Sequence, residues 1–217
     1  TLFPYTTLFR SRYSKIMNIE KTILALEKNN YEVSLFKTAK DASQYLESRL
    51  NGEYIGFGDS ETMFNMNLFD KLSVHNKVVD PKHCKAEATF RDTAIKCLTT
   101  DIFFTSVNAL AETGEMVNID GTGNRIAGSL FGHKKVYFVV STNKIEPTLE
   151  AAIWRARNIA APGNAKRLGL RTPCAVKGDR CYNCSSPDRI CNGLLIYYKK
   201  MNNTDMEIIL IDEKLGF

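Results

Sequence analysis

Four cysteines fall within eighteen residues, in TPCAVKGDRCYNCSSPDRICN (residues 172–192), at the spacing C-x6-C-x2-C-x6-C. Thiolates at Cys174, Cys181, Cys184 and Cys191 could wrap a tetrahedral zinc ion or a cubane iron–sulfur cluster, because the C-x2-C pair makes one knuckle and the six-residue arms fold back. Lys177, Arg180 and Arg189 would offset the negative charge of such a site. The run C-x2-C-x2-C of many iron–sulfur proteins is absent, and the paired C-x2-C of zinc ribbons is half present, so spacing leaves zinc and cluster both open. Free structural thiols are the alternative. Disulfides require an oxidising compartment that nothing in the chain announces. A thioredoxin-type pair would open a helix, whereas Cys181 and Cys184 sit amid Gly, Asp, Ser and Pro.

A second kind of chemistry is written in two polar loops. GFGDSET (residues 56–62) follows an apolar run and opens a helical pattern. Gly56 and Gly58 would let backbone N–H groups approach an anion, and Ser60 and Thr62 would touch it. Residues 106–125 read SVNALAETGEMVNIDGTGNR. There Ser106, Asn108, Thr113, Asn118, Gly121, Thr122, Gly123, Asn124 and Arg125 form a dense set of ligand-binding candidates, with a cation beside a helix start. The plainer reading is a Thr113-Gly114 hairpin followed by a turn that satisfies its own backbone. GTG is not the dinucleotide fingerprint, because the third glycine is missing. Glu112 and Asp120 are the catalytic candidates, as nucleophile or general base. His75, His83 and His133 show no pairing by spacing and read as surface or turn residues. Cys84 and Cys97 read as buried thiols.

The elements that must position these loops alternate. A helix begins near Met17, YEVSLFK reads as a strand, and a second helix ends at Asn51-Gly52. EYIGFG is a short buried strand, DSETMFNMNLFDKL a helix, and KVVD, a helix over CKAEATFRDTAIKCL and DIFFTSV repeat the theme. EMVNID, GNRIAGSLFG and KKVYFVVS form a further strand–helix–strand unit. Pro147 precedes a helix lined by Leu149, Ala152, Ile153, Ala156, Ile159 and Ala160. GLLIYYKK and MEIILIDE close the chain as two β segments around a turn. The alternation predicts an α/β fold, a mainly parallel sheet covered by helices. Ligands then gather at the carboxyl ends of strands, in the loops after IGFG, FFTSV and VNID.

The 217 residues, 44% hydrophobic and 24% charged, suit one globular domain. The longest apolar runs have strand length, so no membrane partner is expected. TLFPYTTLFR has no basic start and no sustained apolar core, so no secretory signal is read and a cytoplasmic location is expected. From the near-duplication of TLF, residues 1–16 are expected to be a non-native extension, and residues 17–217 to be the domain, with a Cys-rich loop at 172–192. Arg10, Arg12 and Lys15 belong to that extension, which has no acid. Without those three charges the net +5 becomes +2, too little to argue for nucleic acid.

Three stretches, TSVNALAETGEMVNIDGTGNRIAGSLFGHKKVYFVV, NKIEPTLEAAIWRARNIAAPGNAKRL and TPC…C-x2-C-x-SPDRIC, resemble the lactate-utilisation (LUD) domain family. The resemblance runs from Met17 to Phe217. It implies a fold similar to coenzyme A transferases, ribose-5-phosphate isomerase and 5-formyltetrahydrofolate cyclo-ligase. It also implies a part in organic-acid oxidation, lactate to pyruvate, with iron–sulfur or oxidoreductase partner proteins; the two polar loops, residues 56–62 and 106–125, are where an anionic small-molecule ligand is expected. Two other readings stay open: a non-catalytic assembly subunit with a structural zinc, and an acyl or phosphoryl transferase or ligase using Glu112 or Asp120.

Overall fold

A computed structural model of the protein describes residues 18–84 and 87–217; the expectation for residues 1–16 lies outside the described residues. The first half of the chain lays down α1 (Ile19–Lys28), β1 (Glu32–Phe36), α2 (Ala39–Arg49), β2 (Tyr54–Phe57), α3 (Glu61–Asn65), α4 (Leu68–Ser73), β3 (Lys77–Val79), α5 (Phe90–Cys97) and β4 (Ile102–Thr105). Next come β5 (Ala109–Ala111), β6 (Met116–Asp120), α6 (Asn124–Leu130), β7 (Lys135–Ser141), β8 (Ile145–Glu146) and α7 (Leu149–Arg155). The last are α8 (Ala161–Arg167), α9 (Pro173–Lys177), β9 (Gly193–Tyr197) and β10 (Asp205–Ile211).

Six strands make one sheet in the order β1-β10-β7-β4-β2-β3, and every neighbouring pair is parallel. The reason is visible in β7, whose residues alternate between two cores. Tyr137 and Val139 join Leu46, Phe57 and Leu72 under α2, α3 and α4. Val136, Phe138 and Val140 face the other way, with Leu26, Phe103 and Leu210. Each fully buried aromatic or leucine side chain contributes roughly 1.5–3 kcal/mol, so a strand apolar on both faces is stable only between two covering layers.

One of those layers is a second sheet, ordered β8-β5-β6-β9, in which β6 is antiparallel to both β5 and β9. Its inner face adds Leu110, Met116 and Tyr197 to the second core. Its outer face is small, Ala109, Ala111 and Val117, and receives Ala152 and Ala156 of the α7 region.

The structure redraws several expected elements. The helix over DSETMFNMNLFDKL breaks at Asn67, which takes a left-handed φ of 52° and separates α3 from α4. Among the described residues, the helix expected over CKAEATFRDTAIKCL is α5, started by a reciprocal Thr89–Asp92 capping box. EMVNID and GLLIYYKK pair with each other as β6 and β9 rather than joining the parallel sheet. His133 is buried, its ring stacked 4.9 Å from Phe103, and Cys84 is exposed while Cys97 is buried.

Candidate functional site

Four parallel strands deliver their carboxyl ends to one place. After β2 come Asp59, Ser60 and Thr62; after β4, Ser106 and Asn108; after β7, Lys144; after β10, Phe217. All of them line a cavity of about 140 Å³. The facing wall is built by the end of β6 (Ile119, Asp120), the turn Gly121, Thr122, Asn124 and Arg125, and Asn164 and Arg167 of α8. The loops expected after IGFG, FFTSV and VNID therefore converge, although VNID arrives from the second sheet.

Lys144 forms the floor, and sequence reasoning missed it. Its Nζ donates to Thr62 Oγ1 at 2.9 Å, Ser106 Oγ at 3.0 Å and the Val107 carbonyl at 3.1 Å. None of the three acceptors is an anion. Burial pushes its pKa down to about 7, and the positive charges of Arg155 and Arg125 push the same way. In STNKIEP a lysine reads as a solvated turn residue. The available signal was its place three residues beyond the end of a buried parallel strand.

Asp120 is buried, and both carboxylate oxygens are occupied. Oδ2 accepts from the backbone N–H of Arg125 and Ile126, and Oδ1 from Gly121 N–H at 2.8 Å and Arg125 Nη2 at 3.4 Å. It ties down the start of α6 and aims Arg125, whose Nη2 also donates to the Ile119 carbonyl at 2.6 Å. At the mouth, Asp59 holds a left-handed φ of 53°, an uncommon state for a residue other than glycine. It lies 3.4 Å from Lys82, which also pairs with Glu61, and Glu61 reaches Arg167 at 3.2 Å.

Other expected site residues lie elsewhere. Glu112 does not line the cavity; it accepts from the Asn18 backbone N–H and from Lys21 Nζ, and so anchors the start of α1. Thr113 bonds Glu115 within the hairpin turn. A Cβ on Gly56 would stand 2.7 Å from the Cys97 carbonyl, and one on Gly58 would stand 3.0 Å from the Phe103 ring, so both glycines serve packing. Gly123 supplies a φ of 91° before α6. Asn118 lies behind the cavity and donates from Nδ2 to the Ser106 carbonyl at 3.2 Å.

The cysteine segment abuts this site. Ile190 lines the cavity, and its backbone presses so closely on Gly121 that a Cβ there would be 2.9 Å from the Ile190 oxygen. Asn192 donates to the Asp120 and Gly121 carbonyls. Within the segment, Asn183 has a left-handed φ of 47° and its N–H donates to Cys181 Sγ at 3.3 Å. Arg189 clasps the Cys184 and Cys191 carbonyls. The donor set suits a thiophilic metal. Among the described residues no three metal-ligating groups converge, so holding a metal requires the segment to close around it.

The fold and the cavity define an α/β domain with a small polar pocket at the carboxyl edge of its parallel sheet. The family model of the LUD domain matches residues 19–211, and the chain belongs to that family. The crystal structure of a DUF162 family protein from Deinococcus radiodurans is similar with a TM-score of 0.52, covering 88% of this chain and 94% of the other at 12% identity. That likeness concerns the fold. No curated protein matches the chain. Among the described residues no helix is long and apolar enough to cross a membrane.

Proposed function

We propose that the cavity binds a small organic carboxylate of the lactate and pyruvate class, and that the protein serves organic-acid oxidation in the cytoplasm. The observation that carries this reading is Lys144: a buried lysine whose Nζ has only uncharged acceptors, in a cavity whose other cations have carboxylate partners. An anion is the partner that offsets its desolvation. Arg125, Asn124 and Thr122 stand on the facing wall to orient the far end of the ligand.

The same reading gives the four cysteines a thiophilic metal. An iron–sulfur cluster would supply one-electron storage for an oxidoreductase partner, and zinc would act as a clasp. Supporting it are the knuckle-like N–H···S contact at Cys181 and the packing of Ile190 on the cavity wall.

Calorimetric titration of the protein with lactate and with pyruvate tests the carboxylate site. Binding is expected in the wild type, with at least a tenfold loss in Lys144→Met; equal affinity in the two proteins would remove the reading. Iron, zinc and acid-labile sulfide counted after oxygen-free purification test the metal. About four iron and four sulfide per chain mean a cubane cluster, about one zinc means a clasp, and none of these leaves free thiols.

A further inference from the structure

We propose that Ser106 is a nucleophile with Lys144 as its base, and that the cavity cleaves small uncharged acyl esters or thioesters through an acyl-serine. Ser106 follows directly on β4 and lines the cavity, its Oγ 3.0 Å from Lys144 Nζ. Thr62 Oγ1 lies 2.9 Å from the same nitrogen and 3.5 Å from Ser106 Oγ. The third neighbour, the Val107 carbonyl, can only accept. A neutral amine has two N–H groups and one lone pair. Given to Val107 and Thr62, the two N–H groups leave the lone pair facing the Ser106 hydroxyl, which then donates to Nζ. Nucleophile, base and an orienting third group thus meet within hydrogen-bond reach.

The surroundings hold this arrangement in place. The Ser106 carbonyl receives Asn118 Nδ2 and, at 3.4 Å, Thr105 Oγ1. Gly216 covers the other side: a Cβ there would stand 2.8 Å from Thr62 Oγ1 and 3.6 Å from Lys144 Nζ. A base with a pKa of about 7 is neutral in roughly half the molecules at neutral pH. The charged groups acting on it, Arg155 and Arg125, are both cations and both favour the neutral form.

In the acylation step Ser106 Oγ forms a bond to the acyl carbon as its proton passes to Lys144. The bond to the alcohol or thiol breaks, and Lys144 returns the proton to that leaving group. Water then attacks the acyl-serine, giving one proton to Lys144, which passes it to Ser106 as the Oγ–carbon bond breaks. Ester or thioester plus water become acid plus alcohol or thiol, with no oxidant or reductant. The substrate is uncharged and meets a neutral lysine; the product acid then gives its proton to Lys144 and becomes the carboxylate that the ammonium form would hold. The step extends the carboxylate reading without depending on it.

The test is p-nitrophenyl acetate at pH 8, followed by nitrophenolate release and by mass mapping of the whole protein. One acetyl group per chain on Ser106, with a burst of about one equivalent and a rate that rises through pH 7 and levels off, is the expected result. Ser106→Ala should remove the label. Lys144→Met should slow acylation by at least about a hundredfold. Thr62→Val, at a positioning residue, should shift the pH limb downward, because the ammonium loses an acceptor. That shift can be read even if Lys144→Met fails to fold. No acetyl on Ser106, or equal labelling in Lys144→Met or an unmoved limb in Thr62→Val, overturns the proposal. Acylation without lactate or pyruvate binding would remove only the carboxylate reading, and binding without acylation would remove only this one.

Discussion

At the scale of single residues, Lys144 sets the chemistry. Its pKa stands near 7 in the fold against an ordinary value of 10.5, so the unfolded chain binds a proton that the fold gives up. The cost of burying it is therefore full below pH 7 and shrinks as pH rises towards 10.5. Between those limits wild-type stability should gain on Lys144→Met by up to about 1.4 kcal/mol per pH unit. Paired urea denaturation at pH 6, 7.5 and 9 measures this, and a constant difference between the two proteins would contradict the burial argument. Carboxylate affinity should run the opposite way. An anion needs the ammonium form, so binding should weaken by up to tenfold per unit above pH 7, with proton uptake visible in buffers of different ionisation heat. Little of this was legible in the sequence. Ser60, Thr62, Ser106, Asn108, Asp120 and Arg125 were legible because each follows an apolar strand run. Lys144 was not, because burial of a lysine depends on which loops converge over it. Glu112 misled for the same reason: an acid at a strand end looks available until Lys21 and the start of α1 are known to lie beside it.

At the scale of elements, glycines decide how closely helices approach the strands that carry the site. Gly56 in β2 lies under α5, with the Cys97 carbonyl and the Thr100 hydroxyl both 2.7 Å from where a Cβ would stand. A backbone carbonyl cannot swing aside as a side chain can. Gly56→Ala should therefore cost roughly 1–3 kcal/mol, read as a lower urea midpoint. Because β2 also positions residues 59–62, the same variant should weaken ligand binding; an unchanged midpoint would mean that α5 shifts freely. The parallel strands themselves were legible as buried apolar runs between helical patterns. The second sheet was not. Ala109–Ala111, Ala-Leu-Ala, is weak in strand propensity, and β6 is buried on both faces like a parallel strand, so its antiparallel pairing comes from tertiary contacts. Ala156–Ala160 is π-helical, and only the backbone shows that; it is the bulge after which α8 turns Asn164 and Arg167 towards the cavity.

At the scale of the whole molecule, the cysteine segment and the cavity share two walls. At one end Asn192 is bonded to the Asp120 and Gly121 carbonyls, and β9 continues from it along β6. In its middle, Cys181 N–H donates to Asn158 Oδ1 on the π-helical turn, next to Ala160 and Ala161 of the cavity lining. Drawing four thiols around a metal must pull on both attachments, because the segment is pinned to both. Metal loading should therefore change carboxylate affinity, with a coupling of about 1–3 kcal/mol, or roughly 5- to 150-fold. Reciprocity fixes a second observable: saturating carboxylate must change metal affinity by the same factor and in the same sense. Titrations of zinc-loaded and chelator-treated protein, repeated in Gly121→Ala, measure both sides. In that variant the added Cβ forces the Ile190 backbone away from the cavity wall, so the coupling should shrink even where each ligand still binds. Equal carboxylate affinity with and without zinc in the unaltered chain would mean that the segment closes without moving either wall, and the cysteines and the cavity would then be independent sites on one fold.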